Sequence, residues 1–501
     1  MPPSLLRRAG QAVILNALAN WLTLIGGLLS IVLVARILTP ADYGVYVMAI
    51  VAISIPEVIT SGTLTDALVQ RKDLRTGHIN SVLLQSVVLA IFFWLVLILS
   101  ASQIAQLFGN PDVAPVLIVC GVILPIGAVM SVPASLLQKE LRYKEITLVD
   151  VSGTIIAGIM GVSLALLLRN EWALVGMELS RRLVRLVGFM FFAKWLPAFT
   201  SGWGDLKELA RFNLINGVAK VIQAIEFALP KSLISATLGS AAVGVFNLGE
   251  RLFDQMRVAL IEPYAAVSLP VASMVQDDRL ALHRTMENAI RMSAFLAYPT
   301  FIGAFVVAPL AIPIVFGSQW VESIPIFQVF MIIALRSPMT AIIAGVLRGI
   351  GRPDVIIWQT GISIVATLVF LLSVFQYGLF AIVLALLAKQ VVNFVVSTWL
   401  IQKVVGFPII KQLKAGATAF FASIIMGCVV WLAMTYLPTS GAPFLHLVVV
   451  ILIGIAAYVL ALFGFAPRLG IELLKAAKVL ISGQPREAIG MVRTAIRKQQ
   501  V

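Results

Sequence analysis

Apolar residues in this chain come in long blocks, each closed by a short polar or charged turn. The blocks run at about 12–35, 43–69, 79–102, 113–137, 147–168, 172–194, 212–237, 242–268, 290–315, 322–347, 355–376, 378–402, 415–437 and 444–465. A helix needs roughly 20 apolar residues to cross a bilayer. The pattern therefore predicts an all-α, polytopic membrane protein with about fourteen transmembrane helices. Charge tests that count. With the N-terminus in the cytoplasm, the segments on that side hold 26 of the 37 Lys and Arg residues, and the opposite side holds Arg36 and Arg169 alone. Basic residues collect in cytoplasmic loops, and one missed span would scramble an asymmetry that alternates loop by loop. Both termini are expected inside.

The chain also repeats itself. Leu38-Thr-Pro-Ala41-Asp-Tyr-Gly44-Val45-Tyr46 realigns at an offset of 200 with Leu238-Gly-Ser-Ala241-Ala-Val-Gly244-Val245-Phe246. At the same offset Asn16 meets Asn216 and Ala19 meets Ala219, while Leu107-Phe108-Gly109 matches Val315-Phe316-Gly317 at 208. Two parallel six-helix repeats, 1–200 and 201–410, are expected, followed by two extra spans over 411–466 and a basic cytoplasmic tail over 467–501. Such repeats flank a central site and rock against each other.

Composition agrees with the blocks: 60% hydrophobic, 12% charged, mean hydropathy +1.01. The net charge of +14 sets topology here and implies no nucleic-acid partner. Arg7-Arg8 ahead of an apolar run resembles a signal peptide, yet the run continues to about Ala35, too long for one. It reads as an uncleaved first helix. Cys120 and Cys428 both fall in apolar blocks, which argues against a disulfide framework. His78, His283 and His446 are far apart, so no metal site is expected. Gly349-Ile-Gly351 reads as a turn before Arg352-Pro353 and not as a phosphate loop, so no nucleotide cofactor is expected. External loops leave no room for a catalytic domain.

The candidate chemistry is therefore inside the spans. Glu178, Arg181, Arg182 and Arg185 recur at i, i+3, i+4 and i+7 and share one helical face. Each Arg at mid-bilayer costs at least about 2.5–3.5 kcal/mol, so the face must look into protein or water. It is either a packing face, with Glu178 paired to Arg182, or a cationic lining for an anionic passenger. Asn16 and Asn20 form a stripe with Thr23, matched at the offset by Asn216, Lys220 and Gln223, with Glu226 one turn further. These stripes are either helix–helix hydrogen bonding or the walls of a shared cavity. Arg336 and Lys389 extend the cationic set. Glu57, beside Pro56, is a buried acid able to carry a proton, or else the partner of Lys231 or an arginine.

Four stretches carry a family resemblance: Ala35 to Tyr46, Ala67 to Leu74, Val132 to Ile146 and Leu269 to Asp278. In order and spacing they resemble the polysaccharide-transporter (Wzx-type) branch of the multidrug/oligosaccharidyl-lipid/polysaccharide exporter superfamily, over nearly the whole chain. The resemblance implies an inner-membrane flippase, not an enzyme, moving undecaprenyl-diphosphate-linked oligosaccharide for exopolysaccharide, capsule or O-antigen assembly by alternating access. Its implied partners are that lipid-linked oligosaccharide and membrane lipids, with polysaccharide polymerase and export machinery as candidates. On this reading Arg181, Arg182, Arg185, Lys220, Arg336 and Lys389 attract the diphosphate, while Asn16, Asn20, Asn216 and Gln223 bond sugar hydroxyls. Relatives often carry an Asp in the seventh helix; Glu226 stands there as a second ion-coupling candidate beside Glu57. The rivals are a cation-coupled multidrug antiporter of the same superfamily and a membrane glycosyltransferase or polymerase.

Overall fold

The structure, a computed structural model, describes residues 23–62, 65, 68–69, 73–198, 203–437 and 442–465. Among them every regular element is a helix. In chain order these are α1 (Thr23–Ile37), α2 (Pro40–Glu57), α3 (Thr76–Leu107), α4 (Val113–Cys120), α5 (Ile123–Lys139), α6 (Tyr143–Leu168), α7 (Trp172–Ala193) and α8 (Trp203–Leu260). Then come α9 (Glu262–Met274), α10 (Arg279–Phe316), α11 (Ser323–Ala334), α12 (Ser337–Gly349), α13 (Pro353–Val374), α14 (Leu379–Val405), α15 (Ile409–Tyr436) and α16 (Pro443–Phe465).

Ten described helices are long and apolar enough to cross a membrane, or eleven if α11 and α12, bent by 47°, make one span. This multi-pass architecture is the one expected, but length and composition alone stop short of fourteen. Three places make the difference. α1 is described only from Thr23, α7 carries four charged residues, and Lys220–Leu260 qualifies as one stretch although α8 breaks within it at Gly239 (φ 82, ψ −175). Unbroken, the 58 residues of α8 would reach about 87 Å at 1.5 Å per residue, about twice the whole bilayer. The chain has to turn at Gly239, where a side chain would be strained.

Local chemistry explains the other starts and stops. Thr39 caps α2: its hydroxyl accepts from the Asp42 N–H at 3.3 Å, and the Asp42 carboxylate accepts from the Thr39 N–H at 2.9 Å. Pro40 fills the first helical position, where no N–H is needed. Gly109 (φ 64) and Gly317 (φ 105) turn the chain after α3 and α10.

The chain forms two compact units, each described by itself. The first comprises residues up to Asn247 with the turns Val315–Gln319 and Phe375–Leu379. Its closest pairing is α6 with α7. Gly153, Ala157, Gly161 and Ala165 are all buried at four-residue spacing along one side of α6. Small residues at that spacing let helices approach closely in lipid, where the hydrophobic effect supplies no attraction. A Cβ at Gly161 would sit 2.9 Å from the Met177 sulfur, and one at Gly188 2.8 Å from Val149. The second unit holds the remainder. In it, Gly345 and Gly349 bring α12 onto Ser268 and Leu269 of α9, and Ala272, Met286, Ile342, Val346 and Phe407 fill the core. α16 packs on α15, and its Tyr458 hydroxyl donates to the Phe295 carbonyl at 2.8 Å. The expected repeat halves and the basic tail are not delimited by these units, and the tail lies outside the described residues.

Candidate functional site: a buried ion-pair network

α7 presents Glu178, Arg181, Arg182 and Arg185 on one face, and every one of the four is engaged. Glu178 is the hub, with 7% of its side chain exposed. Its Oε1 accepts from Arg182 Nε at 2.7 Å and its Oε2 pairs with Arg181. Arg182 also reaches across to α2, where its Nη1 lies 2.5 Å from Glu57 Oε1. Arg185 turns towards α6, with Nε 2.9 Å from Asp150 Oδ1. Its aliphatic stem runs over Gly153, where an added Cβ would be 3.1 Å from Arg185 Cγ. A methyl group there would already press on the arginine stem.

The end of α2 is shaped to receive these contacts. Pro56 cannot donate a backbone hydrogen bond, and the chain widens into a π turn over Val58–Gly62. Hydroxyls take up the carbonyls that the wide turn leaves short. Thr60 donates to the Pro56 carbonyl at 3.0 Å, and Ser61 donates to the Glu57 carbonyl at 2.8 Å. Lys220 of α8 donates to the Gly62 carbonyl at the end of the turn. A Cβ on Gly127 of α5 would lie 3.7 Å from Ser61 Oγ and 3.9 Å from Arg182 Nη1, so this wall is also close.

Five of the sequence candidates therefore meet in the first unit: Arg181, Arg182, Arg185 and Glu57 directly, and Lys220 through Gly62. The α7 face is a nearly balanced network in this structure, and it includes the pairing of Glu178 with Arg182 that the spacing offered. Three arginines pair with the carboxylates of Glu57, Glu178 and Asp150, and with Lys220 on the Gly62 carbonyl the group carries a net of one positive charge. Arg182 is the deepest arginine at 16% side-chain exposure, and Arg181 the most open at 37%. Sequence reasoning missed Asp150. The signal was an acid inside an apolar run, but its partner lies on another helix.

The other candidates fall elsewhere. Gln223 is exposed and Glu226 half-buried on α8. Lys231, the alternative partner considered for Glu57, is buried with its Nζ 3.2 Å from the centroid of the Phe227 ring. Asn16, Asn20 and the side chain of Asn216 lie outside the described residues. Arg336 and Lys389 belong to the second unit. Arg336 sits at the break between α11 and α12 and lines a cavity of about 470 Å³ with Tyr298, Gln390, Lys414 and Phe420. Lys389 is buried on α14, one turn before Asn393, which donates to Ser363 at 2.9 Å. Outside the spans, burial raises the Glu171 carboxyl above the usual carboxylate range, helped by the negative charges of Asp42 and Asp112.

The model of a family described as polysaccharide biosynthesis protein matches residues 33–325, more than half of the chain. The chain belongs to the polysaccharide biosynthesis protein family. Among relatives of this family member, the succinoglycan biosynthesis transport protein ExoT of Rhizobium meliloti is 25% identical over 406 residues, 79% of this chain and 81% of that one. The lipopolysaccharide biosynthesis protein WzxC of Escherichia coli is 22% identical over 77% and 80%. The teichuronic acid biosynthesis protein TuaB of Bacillus subtilis is 21% identical over 74% and 75%. The family member shares its fold with the lipid II flippase MurJ in an inward closed conformation, with a TM-score of 0.74 at 15% identity, covering 91% of this chain and 99% of that one. An inward-facing multidrug resistance MATE family transporter follows with a TM-score of 0.59 at 17% identity, covering 79% and 95%.

Proposed function

We propose that this protein is a flippase that carries lipid-linked oligosaccharide across the bacterial inner membrane, with both termini in the cytoplasm. The observation that carries this reading is the family match over residues 33–325. It is supported by relatives whose names place them in succinoglycan transport and in lipopolysaccharide and teichuronic acid biosynthesis. ExoT is named a transport protein, which favours transport over the rival of a membrane glycosyltransferase or polymerase. The cargo is an undecaprenyl-diphosphate-linked oligosaccharide destined for exopolysaccharide, capsule or O-antigen, handed on to polymerase and export machinery.

The α7 network supplies the chemistry for such a headgroup. A diphosphate offers oxygens that an arginine fork binds in pairs through charge-assisted hydrogen bonds. In the resting network carboxylates occupy those forks, so the cargo binds by exchange: phosphate oxygens replace Glu57, Glu178 or Asp150, and the displaced acid is left to take a proton or another partner. Arg181, the most open member, is the first point of contact. The lipid tail stays in the bilayer while the headgroup crosses by alternating access. Gln223, Asn16, Asn20 and Asn216 offer bonds to sugar hydroxyls, and Lys220, Arg336 and Lys389 add positive charge.

The antiporter reading shares the fold but meets a specific obstacle. A cationic drug needs a negative site, and the network here, with Lys220, carries one more positive than negative charge, which favours an anionic cargo. The deciding experiment follows the lipid-linked oligosaccharide in a deletion strain. Its accumulation on the cytoplasmic leaflet, with loss of surface polymer reversed by the gene, is expected. Normal polymer together with altered drug sensitivity would overturn the flippase in favour of the antiporter.

A further inference from the structure

The two stretches that share a spelling at an offset of 200 touch each other in the first unit, and they do so reciprocally. A Cβ placed on Gly44 would land on the backbone carbonyl of Ser240, and one placed on Gly244 would land on the carbonyl of Pro40. Each glycine thus meets the residue four positions before the other glycine. This is the pattern of a two-fold contact made within one chain. The start of α2 and the stretch of α8 beyond its break lie backbone against backbone, and no side chain separates them. Tyr43, Val45, Val243, Val245 and Phe246 around the crossing are buried.

A second set of bonds pins the same end of the molecule. Arg36 Nε donates to the Val315 carbonyl at 2.7 Å, and Gln319 Nε2 donates to the carbonyls of Ala35 and Arg36, both at 3.1 Å. A third observation comes from the make-up of the unit. Beyond Asn247 it takes in only 315–319 and 375–379, and both are external turns in the topology that the charges predict. No cytoplasmic turn later than Asn247 is included.

We propose that the Gly44/Gly244 crossing is the external gate of the transport cycle, sealed in this structure and pinned by Arg36 and Gln319. Gly44 and Gly244 are positioning residues: they touch no cargo, and they let two backbones close the external end. The contact involves few atoms and no ion pair, so it can separate and re-form in every cycle. This inference rests on the transport reading but not on the nature of the cargo.

The test uses full-length protein in which Cys120→Ala and Cys428→Ala remove the native thiols. Ala41→Cys and Ala241→Cys, both exposed and each one residue from the crossing, are joined in intact cells by a short bis-methanethiosulfonate. Two readouts follow. One is surface polymer. The other, independent of cargo, is labelling of Ser61→Cys beside the ion-pair network by an impermeant maleimide added outside, read on the peptide that carries residue 61 so that the thiols at 41 and 241 do not count. The gate predicts that cross-linking lowers both at least tenfold and that a reductant restores both. Gly44→Ala and Gly244→Ala should raise the labelling several-fold, whereas Gly361→Ala, with open space around the added methyl, should leave it unchanged. If the alanine variants fail to accumulate, the cross-link, which keeps both glycines, decides. Complete cross-linking with labelling unchanged would overturn the gate, as would failure of the pair to cross-link. Labelling that falls while polymer never depended on the protein would keep the gate and remove the oligosaccharide cargo.

Discussion

Arg182 bridges Glu178 and Glu57, so its removal tests whether the network holds the protein together. At the 2.5 Å separation of Arg182 and Glu57, unit charges in an effective dielectric of about 20 attract by about 6–7 kcal/mol. Desolvation of both groups cancels a large part of that. Truncating one partner of a buried pair typically costs about 3–5 kcal/mol, because the other charge is left uncompensated. Glu57 retains 27% side-chain exposure, which places Arg182→Gln towards the lower end, about 3 kcal/mol. Glu178 still holds Arg181 in that variant, so Glu57 is the group left without its arginine. The double change Glu57→Gln with Arg182→Gln removes both charges and should recover most of the loss. The assay is the melting temperature in detergent together with membrane abundance, measured for both single variants and the double. Surface polymer should stay low in the double variant, since the arginine fork is gone. Equal melting temperatures for wild type and Arg182→Gln, or a double variant no better than the worse single, would refute the reasoning.

Three further outcomes are expected. Gly161→Val should cost about 1–3 kcal/mol by overpacking against Met177 and lower the melting temperature, while Gly361→Ala should hold or raise it through better helix propensity. Tyr458→Phe removes the hydroxyl that reaches Phe295 and should cost about 0.5–1.5 kcal/mol; unchanged melting would show that α16 docks by packing alone. Thr39→Cys and Ser240→Cys should both react with an impermeant maleimide from outside, and unequal sidedness would break the repeat and the span count together.

Much of this architecture was legible because membrane spans announce themselves by composition. The α7 face could be read from spacing alone, since Glu178 and Arg182 are one turn apart on the same helix. The partners that complete it could not. Asp150 lies 35 residues before Arg185, and Glu57 much further from Arg182, so only the packing of α2, α6 and α7 brings them together. The break at Gly239 was visible as the gap between the apolar blocks 212–237 and 242–268, but the π turn after Pro56 has no periodic signature. Lys414 stands just ahead of the apolar block that starts at 415 and yet lines the cavity beside Arg336, because α15 begins earlier, at Ile409.

The crossing at Gly44 and Gly244 also bears on where the driving force can enter. Two backbones in contact exchange no proton and bind no ion, so the contact itself has nearly the same free energy at any pH or sodium concentration. A ligand shifts an equilibrium only by its differential affinity for the two states. An ion gradient therefore has no handle on the atoms that touch there, and any ion that drives the cycle has to act on groups elsewhere that can change charge. On the proposed function those would be the carboxylates beside the α7 arginines. On that reading closure and energisation would be separate parts of the molecule, joined through α2, which carries Gly44 near one end and Glu57 at the other.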